Sequence, residues 1–333
     1  MKLSLFLTFI LLNASTQACD LCGCYISTLR AARSTDHGFQ ASVAEQFTHF
    51  GSIRIDGHEV ADPSGQYLDS SITQLVVGQS FLRNRLLLQT NLPTIYRDYK
   101  RPDGDGVERG HESGFGDASL LASYEVFRHA SQNDNPEEPT HQFLFTTRLN
   151  GGIKFPTGDA HRLSEEFAEG HEAEHADDAE HSHEAASGIH GHDLALGTGS
   201  YDALFGGEIY ARMDRFFFEA DAQFTLRGDG RYSYHYANDL TWSCGWGGYL
   251  LERRDASITL QAVVSGEYKD TDRFQGRVAE DTGITAVYLG PKIVASYKRV
   301  TAELGFDLPV LLDNTALQIV PAYRLRAAVS FHF

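Results

Sequence analysis

Seven of the chain's fifteen histidines, His161, His171, His175, His181, His183, His190 and His192, fall between Pro156 and Gly197. The stretch runs Glu-Gly-His-Glu-Ala-Glu-His-Ala-Asp-Asp-Ala-Glu-His-Ser-His-Glu and continues to Ile-His-Gly-His-Asp. Imidazole is the commonest metal ligand near neutral pH, and neighbouring carboxylates add charge and outer-sphere acceptors. His171 and His175 would share one face of a helix at i, i+4. His181-x-His183 and His190-x-His192 suit an extended chelate. The Irving–Williams order favours Cu(II), with Zn(II) or Ni(II) behind. The composition is that of a flexible metal-gathering loop rather than a dedicated site. The plainer alternative is an acidic loop that only solvates and repels. No resident cofactor is implied; copper or zinc is the metal such a loop would take.

Cys19, Cys22 and Cys24 form a C-x-x-C-x-C that one short loop can offer to a soft metal such as Cu(I) or Zn. A disulfide between two of them is the equal alternative in an oxidising compartment. No histidine follows the C-x-x-C, so covalent c-type haem attachment is not indicated. The fourth cysteine, Cys244, stands between Trp242 and Trp246 on an apolar stripe, where a thiol behaves as a small hydrophobe.

Catalytic constellations are thin. His171-Glu172-Ala173-Glu174-His175 spells H-E-x-x-H, the zincin pattern. It lies where His and Glu recur by composition, whereas a zincin needs a rigid helix, a third ligand and a cleft. Ser182 beside His183, and Asp202 with Glu208, offer no G-x-S-x-G or other nucleophile motif. The expectation is a protein that is not an enzyme.

The elements that would position these residues begin with an N-terminal leader. Lys2, the apolar run Leu3 to Leu12, and Thr16-Gln17-Ala18 make a secretory signal peptide over 1–18. Residues 19–37 then form a cysteine-containing periplasmic segment. Cleavage after Ala18 would expose Cys19 to lipidation, although Thr16 stands where lipoproteins usually carry Leu. No later stretch has the ~18 apolar residues of a membrane helix. Net charge is −17, which argues against nucleic acid. From Asp159 to Asp193 eleven acids face one base, Arg162, so much of that charge is local.

Alternation with period 2 recurs from residue 38 to 333. Phe216, Phe218, Ala220, Ala222, Phe224 and Leu226 alternate with Glu219, Asp221, Gln223, Thr225 and Arg227. The last strand alternates Tyr323, Leu325, Ala327, Val329, Phe331 and Phe333 with Arg324, Arg326, Ser330 and His332. An amphipathic strand ending on a bare Phe resembles the closing strand of bacterial outer-membrane barrels. That resemblance implies outer-membrane lipid and the barrel-assembly machinery as partners. The pattern predicts twelve strands, at 38–50, 71–81, 84–95, 115–127, 141–155, 198–212, 215–228, 235–251, 256–269, 283–297, 299–310 and 320–333. Short links alternate with long ones at 51–70, 96–114, 156–197, 229–234, 270–282 and 311–319, as in barrels with short periplasmic turns and long outer loops, although one short-side link, 128–140, is longer than its peers. The fold class is therefore an all-β, antiparallel, up-and-down transmembrane barrel over 38–333, with 156–197 as an outer loop. With the apolar parity outward, the lumen receives Glu125, Arg148, Lys154, Glu208, Arg212, Glu219, Asp221, Arg227, Glu303, Asp307, Arg324 and Arg326. They either pair with one another or line a path for a small solute.

Three phrases resemble the outer-membrane transporter family named for the MetA pathway of phenol degradation. They are Gly114-Phe115-Gly116-Asp117, Gly152-Ile153-Lys154-Phe155-Pro156-Thr157-Gly158 and Leu196-Gly197-Thr198-Gly199-Ser200-Tyr201-Asp202. The resemblance implies a barrel that moves small molecules in or out; taken alone, such glycines and prolines bend a wall or start loops. The cysteine-rich start and the histidine loop depart from that family. Cys-Asp-Leu-Cys-Gly-Cys looks like the start of some uncharacterised barrel proteins. The expected function is an outer-membrane channel for a small solute, with transition-metal ions foremost and aromatic or other small organic molecules as the alternative.

Overall fold

The computed structural model describes residues 38–104, 106–132, 142–167 and 187–333. The leader, the cysteine segment and the centre of the histidine loop lie outside these residues. Twelve antiparallel strands form the wall: β1 (Phe39–Ile55), β2 (Tyr67–Phe81), β3 (Leu86–Asp103), β4 (Ser119–Gln132), β5 (Gln142–Lys154), β6 (Asp202–Met213), β7 (Phe216–Leu226), β8 (Asp239–Arg253), β9 (Ala256–Lys269), β10 (Ile284–Tyr297), β11 (Val300–Asn314) and β12 (Leu317–His332). Each pairs with the next, and β12 returns to β1 from Gln40 opposite His332 to Ile55 opposite Leu317. The result is a closed twelve-stranded barrel.

Side-chain parity follows the hydropathy. On β7, Phe216, Phe224 and Leu226 are exposed while Phe217, Gln223 and Thr225 are buried. On β12, Leu325, Val329 and Phe331 are exposed while Arg324, Arg326, Ser330 and His332 are buried. An apolar outside on a closed sheet is the outer-membrane arrangement, because lipid offers the backbone no hydrogen bonds. At the end carrying both termini four of the five links are tight, and the fifth, 133–141, lies outside the described residues. Asp214–Arg215 and Lys298–Arg299 are two-residue links whose first residues take φ of 55° and 52°, the twist that hairpins favour. By the same rule this end is the periplasmic one.

All twelve expected strands are present, but several run further outward. β1, β3 and β11 extend to Ile55, Asp103 and Asn314, and β2 and β12 start at Tyr67 and Leu317. The expected loop 311–319 is therefore a hairpin turning at Thr315 and Ala316. The stretch 96–114 is the rest of β3 together with an added strand, Gly106–Phe115, paired to it. Beyond the lipid band both faces of a strand are wet, so the apolar alternation stops while the backbone pairing continues. In contrast, β4, β6 and β8 begin at Ser119, Asp202 and Asp239, later than their alternation suggests. The residues just before them turn toward the interior instead.

The chain's two tryptophans both stand on the outward parity of β8. Trp246 is exposed, and the Trp242 ring lies over Gly266, where an added Cβ would come within 2.5 Å of it. Lipids brominated on their acyl chains should therefore quench most of the intrinsic fluorescence of the reconstituted protein. Fluorescence insensitive to these lipids would reverse the assigned parity.

Candidate functional site

The three glycine-rich phrases, far apart in sequence, meet at the outer rim of β4 to β8. Lys154, fully buried at the end of β5, sits opposite Ser119 of β4 and Asp202 of β6. Its Nζ contacts Asp117 Oδ2 at 2.6 Å and Asp202 Oδ2 at 2.8 Å, and also bonds the Thr198 hydroxyl. The Thr198 N–H donates to Asp117 at 2.9 Å, and the Ser200 hydroxyl donates to Asp202 at 2.7 Å. Arg227 extends the network, donating to Asp202 at 2.9 Å and to Asp239 at 2.6 Å. Gly158 N–H donates to the second oxygen of Asp117 at 2.9 Å. Gly158 and Gly197 pack backbone to backbone; a Cβ on Gly197 would lie 2.7 Å from both Gly158 and Asp117. The glycines are thus required by close approach, not by wall bending alone. Asp202 is wholly engaged here, which removes it from any pairing with Glu208 as an acid–base couple.

This network clamps both ends of the long loop between β5 and β6, and the described part of that loop enters the barrel. Ile189 and Leu194 pack among Ile53, Leu68, Tyr99 and Ile319 of the enclosed face. Leu196 packs on Ile72 and Ile95. Buried Arg97 of β3 donates to the carbonyls of Asp193 and Ala195 at the end of the short helix Gly191–Leu194. It thereby satisfies groups that a helix end otherwise leaves open. Outside the plug, Tyr234–His235, Asp272–Phe274 and Arg277–Ala279 form a small sheet, with Phe274 edge-on to Phe167 at 4.9 Å.

His190 and His192 belong to this plug. Their rings stack with centroids 5.6 Å apart at 7°. His192 is buried, with Nδ1 3.0 Å from Glu166 and Nε2 3.5 Å from Asp193, and His190 Nε2 lies 3.3 Å from Asp281. Burial alone would lower the His192 pKa, but the carboxylates of Asp193 and Glu166 outweigh it and raise the value to about 10. A ring protonated on both nitrogens has no lone pair for a metal. His161 is half-exposed, 2.9 Å from Asp159. Among the described residues no group of three His, Cys, Asp or Glu is placed to hold a metal ion. His171, His175, His181 and His183, with Cys19, Cys22 and Cys24, lie outside the described residues.

Below the plug the lumen divides. Ile72, Val76, Ile95, Leu121 and Leu204 are all buried on the enclosed face of β2, β3, β4 and β6. Toward the periplasmic end the expected lumen charges meet. Arg148 reaches Glu125 at 3.5 Å, Arg326 reaches Asp307 at 2.8 Å, and Lys292 of β10 pairs with Glu219 of β7. Higher up, Arg324 of β12 bonds Glu267 of β9 at 3.1 Å. Asp221 accepts from Ser243 at 2.7 Å. The β7–β10 and β9–β12 pairs join strands that are not neighbours, so they cross the bore. The inward apolar patch went unread in the sequence, yet Leu75-Val76-Val77, Leu120-Leu121 and Leu204-Phe205 are apolar on both parities. A wall strand wet on one side has no need of that.

No protein-family model matches this chain, and no curated protein matches it. Among solved structures, an outer membrane channel from Pseudomonas putida F1 aligns with TM-score 0.61 at 12% identity, over 93% of this chain and 100% of that one. The β domain of the Bordetella autotransporter BrkA aligns at 0.46 with 11% identity, over 90% and 100%. The monoaromatic hydrocarbon channel CymD aligns at 0.36 with 6% identity, over 90% and 91%. The first likeness shows the outer-membrane barrel fold; the other two are too distant to add to it.

Replacing Lys154 with Met leaves Asp117 buried without its cation and Asp202 with Arg227 alone, and removing one partner of a buried pair typically costs ~3–5 kcal/mol. The expected result is a lower urea midpoint in detergent and faster amide exchange over 187–201. Unchanged exchange there would show that the network does not hold the plug.

The His192–Glu166 contact gives a second expectation. His192 is raised above its ordinary value of 6.5, so its contribution is complete below that pH and disappears as pH rises through about 10. Burial pushes Glu166 up, but His192 more than offsets it; this carboxyl falls below its ordinary 4.5, and its contribution is lost as the solution becomes acid. Exchange protection of 187–196 should be greatest near neutrality and fall above about pH 10, and His192→Gln should flatten the alkaline limb. An alkaline limb unchanged in that variant would exclude the contact as its cause.

Proposed function

We propose that the protein is an outer-membrane channel for a small organic solute, closed in this conformation by the plug between β5 and β6. The observation that carries this reading is an apolar patch enclosed in the lumen directly beneath a loop clamped by buried ions. Ile72, Val76, Ile95, Leu121 and Leu204 suit an uncharged, partly apolar molecule. Hydrated metal ions gain nothing from such a surface. The motif likeness to a transporter family and the fold shared with a bacterial channel support the class of function.

The dimensions support a gated channel. One space against the inner side of the plug, bounded by Phe50, Leu68, Arg97, His192, Ile284 and Ile319, measures ≈ 70 Å³. An engineered cavity of about 150 Å³ is the scale that admits benzene. An aromatic molecule is too large for that space, so passage through it requires 187–196 to move. Gathering of transition metals by the histidine loop is the weaker reading. It rests on composition, and the described histidines of the loop, His161, His190 and His192, each lie against a carboxylate.

The test fixes the plug. Cysteines at Leu194 and Ile319, which share one apolar cluster, should form a disulfide that abolishes entry of benzyl alcohol into proteoliposomes, with entry restored by reductant. Equal entry in the oxidised and reduced states would remove the plug as the gate. Absence of entry in every state would remove the organic solute.

A further inference from the structure

The periplasmic end carries charge of the sign opposite to the chain as a whole. Net charge is −17, yet each of the four described links at this end holds an exposed base. They are Arg83 and Arg85 between β2 and β3, Arg215 between β6 and β7, Arg253 and Arg254 where β8 meets β9, and Lys298 and Arg299 between β10 and β11. The described acids at these turns are Asp214, Glu252 and Asp255. Asp214 accepts from the Gln142 N–H at 2.9 Å, and Glu252 accepts from Arg212 at 2.6 Å. Three further acids, Asp134, Glu137 and Glu138, belong to the link between β4 and β5. The β8–β9 and β10–β11 turns are four and six strands away from that link round the wall. These two turns lie side by side: the Lys298 N–H donates to the Asp255 carbonyl at 2.8 Å, and Ala256 stands opposite Tyr297. Arg253, Arg254, Lys298 and Arg299 thus share one edge of the barrel with Asp255 and the engaged Glu252.

We propose that these two turns form a binding site for the headgroup of an anionic phospholipid in the leaflet at the periplasmic side. Directly above the four bases the outward face is apolar, with Leu250, Tyr297 and Val300 exposed and the Lys298 Nζ over the Tyr297 ring at 5.2 Å. Aromatic rings gather where the apolar band of a barrel meets the headgroups, so the bases stand at headgroup depth. Arginine donates paired N–H bonds to phosphate, and lysine adds a point charge. Basic clusters beside a membrane draw anionic lipids toward them. A zwitterionic lipid brings its own ammonium to the same bases, so the site discriminates by net headgroup charge. A lipid fits better than a soluble phosphate because its acyl chains can lie along Leu250, Tyr297 and Val300 while the phosphate meets the bases. The site is at the opposite end of the barrel from the plug, and it stands whether or not the barrel conducts an organic solute.

The probes are phosphatidylglycerol and phosphatidylethanolamine with matched acyl chains. The mature chain is folded in detergent with an equal mixture of the two, and native mass spectrometry counts the lipids it retains. The expected result is a several-fold excess of phosphatidylglycerol. That excess should fall to near parity in a variant carrying Arg253→Gln, Arg254→Gln, Lys298→Gln and Arg299→Gln, and should shrink as salt is raised. All four positions are exposed turn residues, and a heat-modifiable band on gels verifies that the variant still forms a barrel. A second variant, Arg83→Gln with Arg85→Gln, should keep the excess. Equal retention of both lipids by the unsubstituted protein, or an excess that survives the four substitutions, would overturn the site. An equal loss in the Arg83/Arg85 variant would also overturn it, because diffuse charge would then suffice. Displacement of the lipid by millimolar inorganic phosphate would remove the lipid as the occupant.

Discussion

Every strand of this wall has both edges paired, and the rest of the molecule follows from that closure. In hydrocarbon an open edge would leave a row of unbonded amides, each costing several kcal/mol. β12 therefore has to return to β1, which it does over nearly the whole length of both strands. Closure then sets the chemistry of the two faces. The outer one meets lipid and is apolar. The inner one is cut off from bulk water wherever it is narrow or covered, so each polar group there needs a partner within the barrel. The cross-bore pairs Lys292–Glu219 and Arg324–Glu267, and the rim cluster around Lys154, are the forms that requirement takes.

The rim cluster shows why a loop can fill a barrel without unfolding it. Asp117, Lys154, Thr198, Ser200 and Asp202 come from three separate segments, and none makes sense alone in a buried place. Together they give each charge an opposite charge and each hydroxyl a partner, which is the condition for burying ions at all. The glycines at 158 and 197 let the two ends of the loop lie against each other, and the loop then projects Ile189, Leu194 and Leu196 into the lumen. Polar groups fix where the plug enters. Apolar contacts fix how deep it sits.

How much of this was legible depended on which face a residue serves. Strand number and parity were readable because lipid demands a strict apolar period on one side, as in Phe216 to Leu226. The outer ends of β1, β3 and β11 were not, since above the lipid no face must be apolar and only backbone pairing continues the strand. Asp117 and Asp202 stood inside phrases that had been noticed, but a phrase does not say that its carboxylate meets the one 40 or 80 residues away. His190 and His192 misled for a related reason. Spacing and composition describe a chelate in an open loop, whereas Ile189, Leu194 and Leu196, read as an apolar stripe among those same histidines, mark a segment that packs.

The two halves of the lumen then hold their occupants by different means, and this bears on how the barrel would open. The outer seal combines apolar contacts with fully buried ions at its hinge, where water is excluded and the ion pairs are costly to separate one at a time. The inner straps are of two kinds: Lys292, Glu219 and Arg148 retain 12%, 23% and 22% exposure, whereas Arg326 with Asp307 and Arg324 with Glu267 retain only 7% and 1%, and 8% and 5%. Only the first kind has enough access to water to part and re-form at little cost. In the channel proposed above, a solute would therefore have to part apolar contacts and buried ions at the outer mouth and then pass two well-buried ion pairs, with Lys292, Glu219 and Arg148 the charged groups most free to rearrange around it.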